Sequence, residues 1–142
     1  MATTVNNTTV NSRITIIFDA AGSLNGYGPA SGTGNTESDV YLDDKVHYNI
    51  RSHTEIDANV HALQWNATTN TGEIEYTNNS DNLSISSFPQ WATNVVIRCE
   101  AQDAWQTAYD GHADANADDD SAAVNAANTA RTNYLTAHSI TY

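Results

Sequence analysis

The side chains able to do chemistry in this chain of 142 residues are scattered, and each grouping lacks a necessary member. His47, His53 and His61 would share a metal ion only if neighbouring strands juxtaposed them. No pair of them stands four apart on a helix, and no HExxH occurs. Asp114-Ala-Asn116-Ala-Asp118 opens like a calcium loop, but Asp119 stands where the sharp turn needs glycine and Asn125 where a bidentate glutamate must close the cage. A solvated charge run accounts better for it, and no metal site is expected. The glycine-rich stretch 22–36 follows a strand, as a nucleotide loop would. It meets neither dinucleotide nor Walker spacing, and Pro29 with further glycines stands where a phosphate-binding helix should start, so a surface loop without a cofactor is expected.

Nucleophilic and acid–base chemistry fare no better. Cys99 falls on the apolar stripe of a helix, where buried thiols are common, and its neighbours Arg98 and Glu100 oppose each other in their effect on its ionisation. No GxSxG surrounds a serine. Glu73 and Glu75 share one face of a strand with nothing to divide acid from base between them. No catalytic residue is expected, and the chain reads as a non-enzyme. Trp65, Trp91, Val95, Cys99, Trp105 and Tyr109 are instead the candidates for structural or interface roles, the first two sealing a contact between sheet and helix.

The elements that must position these residues follow from pattern. Residues 1–12 are polar and read as a flexible or partner-bound arm. Arg13–Asp19 is a nearly continuous β-branched and aromatic run, hence a buried strand. Short strands at Val40–Leu42, Val46–Ile50, Val60–Trp65 and Gly72–Thr77, separated by polar turns, predict an antiparallel meander with one wet face, so that 13–87 forms a β domain carrying the loop 22–36. Ser87-Phe88-Pro89 signals a helix start, with the serine as cap and the proline in the first turn. Beyond it Trp91, Val95, Cys99, Gln102, Trp105 and Tyr109 recur at helical spacing, and after Gly111 and the Asp118–Asp120 run an Ala-rich segment, Ser121–Ala137, resumes the pattern. Within the helical segment 88–137, one continuous helix from Pro89 to about Ala137 would span about 70 Å. A helical hairpin broken near Gly111 or the aspartate run is favoured, followed by a tail at 138–142. The fold class is α+β: a small antiparallel meander, then an amphipathic, Ala-rich long helix or helical hairpin.

Composition bounds the partners. Five Lys+Arg stand against 17 Asp+Glu, a formal charge of −12, and five scattered cations cannot build a phosphate-binding patch, which disfavours nucleic acid and anionic membrane surfaces alike. No run approaches a membrane span, and the first residues do not read as a signal peptide. Large aliphatic and aromatic side chains make up only about a quarter of the chain, thin for an independent domain, so burial between subunits of a homo-oligomer is expected. The acidity lies beyond residue 36, which leaves the neutral 1–36 as the expected tether between subunits.

Val60–Trp65 (VHALQW), Gly72–Tyr76 (GEIEY) and Phe88–Ala92 (FPQWA), taken in this order, resemble a domain of small structural proteins of tailed bacteriophages, especially cyanophages, associated with tail fibres and baseplates. The match covers about Val40 to Tyr109. The resemblance implies a virion component without a catalytic centre, a tail fibre, baseplate or attachment/adaptor protein located in the phage tail. It implies partners among other virion proteins and copies of itself, a trimer being the usual symmetry of phage fibres. Two other readings stand beside it: a capsid-surface decoration or head fibre protein, and a carbohydrate-binding module for host-surface polysaccharide using Tyr27, Trp65 or Tyr76 as stacking surfaces.

Overall fold

The computed structural model describes residues 2–18, 37–52, 55–77 and 79–141; the glycine-rich loop 22–36, with Tyr27, and His53 lie outside them. The fold is α+β, strands first and helices last, as the pattern predicts. A two-stranded hairpin, β1 (Thr3–Val5) and β2 (Thr8–Val10), precedes a six-stranded antiparallel sheet built from β3 (Arg13–Phe18), β4 (Glu37–Leu42), β5 (Lys45–Arg51), β6 (Val60–Asn66), β7 (Thr71–Tyr76) and β8 (Leu83–Ile85). Two helices follow, α1 (Gln90–Asp110) and α2 (Ser121–Ala137).

The sheet is not one meander. Its order is β5-β4-β3-β6-β7-β8, so two meanders, β3-β4-β5 and β6-β7-β8, are joined side by side through β3 and β6. β3 takes the centre because it is the most apolar strand, and a central strand is flanked by neighbours on both edges. The chain returns from β5 to β6 through a segment whose Ile56 is buried in the main core. Register places Ile14 beside Leu42 and Trp65, and Ile16 beside Val40 and Leu63, on one face. Thr15, Gln64, Glu73 and Ser84 line the other face, which is the expected wet one.

Two bulges reconcile this alternation with the sequence. In β5, His47 and Ile50 are three apart, yet both sit opposite core-face residues, Val40 and Ser38, because Asn49 adopts a left-handed conformation (φ 58°). The Asp39 carboxylate accepts the Asn49 N–H at 3.0 Å, supporting the kink. In β6, the extra residue His61 falls between Val60 and Ala62 and points to solvent.

The first residues do not form an arm. Thr3-Thr4-Val5 and Thr8-Thr9-Val10 pair across a two-residue Asn6-Asn7 turn with Asn6 left-handed, and Val5 and Val10 are buried in the main core. Trp65, 2% exposed, donates its indole N–H to the Thr3 hydroxyl at 3.1 Å. A buried tryptophan needs such an acceptor, and the N-terminal hairpin supplies it. The tail is ordered as well: Ser139 is left-handed, Ile140 N–H bonds to Leu135 O and Ser139 N–H to Thr136 O, and Ile140 packs with Leu135. This is a Schellman stop with serine where glycine is usual.

α1 begins one residue later than expected and without a serine cap. Pro89 is itself the N-cap, extended at φ −64° and ψ 146°, and its carbonyl accepts the N–H groups of Ala92 and Thr93. The break runs from Gly111 through the aspartate run, the two places between which the sequence left it, and α2 turns back along α1 as a helical hairpin.

Candidate functional site

The six residues singled out from sequence fall in two places. Val95, Cys99 and Trp65 lie in the sheet-side core, with half-buried Trp91 packed against it and its ring 5.7 Å from Phe18. The resemblance-bearing segments meet here. Gly72 stands opposite Trp65, and a Cβ on it would fall 2.9 Å from the indole and 2.5 Å from Gln64 O, so only glycine lets the ring lie across β7. Phe88 meets the same indole edge-on, with ring centroids 5.2 Å apart. Trp105 and Tyr109 sit further along α1, stacked in parallel 5.3 Å apart, and serve the helix pair: Trp105 donates to Asn128 Oδ1 at 2.8 Å and Tyr109 to Asp120 Oδ2 at 2.6 Å. The Asp120 carboxylate, by accepting that bond, raises the Tyr109 phenol above its ordinary value.

Cys99 is 1% exposed, and burial first, then the nearby Asp103 and Glu100 carboxylates, push its thiol well above the ordinary range. The expected cancellation between Arg98 and Glu100 does not operate, because Arg98 points elsewhere. Its guanidinium, also buried, donates to Glu55 Oε1 at 2.6 Å and to Thr141 O at 3.1 Å, fastening the β5–β6 connection and the tail to α1.

Sequence reasoning missed two clusters. In one, the Asp103 carboxylate on α1 binds two core-face residues of edge strand β5: Lys45 Nζ at 3.0 Å and His47 Nε2 at 3.0 Å. The carboxylate keeps the His47 proton on Nε2. A histidine–aspartate pair activates a nucleophile only if the second ring nitrogen reaches one, and His47 Nδ1 is buried without a hydrogen-bond partner. The pair therefore acts as a strut between sheet and helix. Beside it opens a cleft of about 380 Å³ lined by Gln102, Trp105, Gln106 and Arg131. The only legible signal was the lysine–histidine alternation in a strand predicted to have one wet face.

In the other cluster, Glu100 gathers the N-terminal hairpin and both helices. It accepts from Asn6 Nδ2 and Thr8 Oγ1 at 2.5 Å each, from Tyr134 Oη at 2.7 Å and from Asn7 N–H at 3.0 Å. Burial and the Glu100 carboxylate together raise the Tyr134 phenol.

The metal readings find no geometry among the described residues. His61 is exposed on β6, and His47 faces the core on β5, three strand spacings or about 14 Å away. No group of three His, Cys, Asp or Glu able to hold an ion occurs among the described residues. Trp65 is too buried to stack on a sugar, which corrects one of the three proposed platforms; Tyr76 is half-buried. On the wet face a groove of about 620 Å³ runs over Gly72 between Arg13, Gln64, Glu73 and Ser84. Among the described residues, no helix is long and apolar enough to cross a membrane. No family model, curated protein or solved structure matches the chain.

Proposed function

We propose that this protein is a non-enzymatic structural protein of a tailed bacteriophage particle, most simply a tail component such as a fibre, baseplate or adaptor protein, working by assembly with copies of itself and with other virion proteins. One observation carries this reading: His47, Arg98, Glu100 and Asp103 are engaged in internal struts, while among the described residues the sheet has helices on one face only and its edge strand β8 pairs on one side alone. Such a module offers surfaces rather than a reaction centre. The resemblance of VHALQW, GEIEY and FPQWA supports it, because Trp65, Gly72 and Phe88 in these segments pack on one another within one unit. The test is immunogold labelling of particles purified from the virus that encodes the chain. Label on the tail supports the tail assignment, label on the head moves the protein to a capsid-surface decoration or head fibre role, and intact particles free of the protein overturn the reading.

A second reading, attachment to host-surface polysaccharide, is favoured by the 380 Å³ cleft. There an indole, two glutamine amides, a carboxylate and two cations face one space, the mixture that sugar sites use. Quenching of tryptophan fluorescence by acidic polysaccharide, lost in Trp105→Phe, supports it; unchanged fluorescence overturns it.

A further inference from the structure

The two free edges of the sheet differ. β5 is guarded: Lys45 and Arg51 stand at its ends, the Asn49 bulge kinks it, and Gln102 Nε2 donates to the Tyr48 carbonyl at 3.1 Å. Charges, bulges and side-chain covers are the devices that stop an edge strand from recruiting another. β8 is protected only by its shortness, three residues, and has no charge, proline or bulge. Among the described residues, Leu83-Ser84-Ile85 pairs in unbroken register with β7 alone, and uncharged Asn82, Ser86 and Ser87 flank it. Leu83 is 49% exposed, one of three large apolar side chains so exposed among the described residues.

We infer that β8 is a self-association edge, on which a second copy of this chain adds its own β8 antiparallel about a two-fold axis through Ser84. The inference deepens the assembly reading and rests on it for the premise that copies of the chain meet. Symmetry selects the register. With Ser84 opposite the partner copy's Ser84, each Leu83 faces an Ile85 of the other copy, and both lie on the core face, where Ile74 and Gly72 flank them within each sheet. Centring on Leu83 or Ile85 would instead place Ser84 against Asn82 or Ser86 and leave an apolar residue without an apolar partner. Charge points the same way. Two chains of −12 each repel most surface approaches, and 82–87 is a strip without an ionisable group. The two sheets become one, with the helices of both copies on the same side.

Sedimentation of the full chain with three variants tests this. Ser84→Lys sets two cations face to face at the axis while altering an exposed side chain. Glu73, directly opposite on β7, offsets part of this repulsion, so the dimer dissociation constant is expected to rise about tenfold or more, with an unchanged thermal melt of the monomer. Tyr48→Lys, on the guarded edge, is expected to leave association unchanged. Ser84→Cys is expected to form a disulfide-linked dimer under mild oxidation, because directly opposed strand residues are within bridging distance and Cys99 is buried. A wild-type oligomer that Ser84→Lys leaves intact, with Ser84→Cys uncrosslinked, overturns the β8 edge while sparing the assembly reading. A wild-type monomer at every concentration, with Ser84→Cys uncrosslinked, overturns self-pairing, and the virion labelling then decides whether assembly with other proteins stands.

Discussion

α1 is buried on two sides that are built differently. Toward the sheet, Ala92, Val95, Val96 and Cys99 share an apolar cluster with Ile14, Ile16, Val40, Leu63 and Trp65. Toward α2, the cluster shrinks to Ile97, Ala101, Leu135 and Ile140 with Tyr134, alongside buried Ala123 and Ala127. Polar bonds supplement this thin layer: Trp105 to Asn128, Tyr109 to Asp120 and Tyr134 to Glu100. Alanine lets helices approach closely but removes little area from water, so the sheet side holds most of the apolar driving force and α2 belongs to the less stable part of the fold.

The largest blow to this contrast falls on the sheet side. Trp65→Ala is expected to cost about 3–5 kcal/mol and to unfold the whole molecule at lower urea, since it empties the core and leaves Thr3 without its indole donor. A loss under about 1 kcal/mol would show that the sheet does not dominate.

Leu135→Ala should cost less, about 2–3 kcal/mol, and locally. Hydrogen exchange is expected to accelerate in Ser121–Ala137 while β3 and β6 keep their protection. Equal loss in β3 would make the two layers one cooperative unit.

Asp43 sharpens the contrast through pH. Its carboxylate accepts the N–H groups of Asn11, Ser12 and Arg13 at 2.8, 2.8 and 3.0 Å, joining hairpin to sheet, and these bonds, Asn11 and Arg13 first, hold its pKa below the ordinary 3.8. A depressed folded value means the stabilisation is fully present above the unfolded value and disappears as pH falls through the folded one. Asp43→Asn is therefore expected to cost about 1–2 kcal/mol near neutrality. The gap from wild type should close below about pH 4; a gap constant to pH 2 would overturn the assignment.

The smallest effect expected is at Cys99. A thiol reagent should leave the native protein unmodified and react only at the rate of opening, because the buried sulfur stays protonated. Fast labelling without unfolding would contradict the packing on the sheet side.

Some misses were legible. The repeated Thr-Thr-Val around Asn6-Asn7 is a hairpin signature that the polarity of residues 1–12 concealed. Ile97 and Ala101 lie off the stripe read from Trp91 to Tyr109, because a helix buried on two sides has no single apolar face. Neither the Glu100 hub nor the Asp103–His47–Lys45 strut was visible, since Glu100 and Asp103 reach partners 34 to 94 residues away and these carry no spacing rule.

By itself, the sequence determined the strands-then-helices order and a helical break at Gly111 or the aspartate run that follows it, because these follow from local periodicity and backbone preference. Only the tertiary structure decided that β3 lies at the centre, that the N-terminal hairpin caps Trp65, and that β8 is the bare edge. Strand order and burial are set by which distant apolar faces exclude water together, and no single segment carries that information.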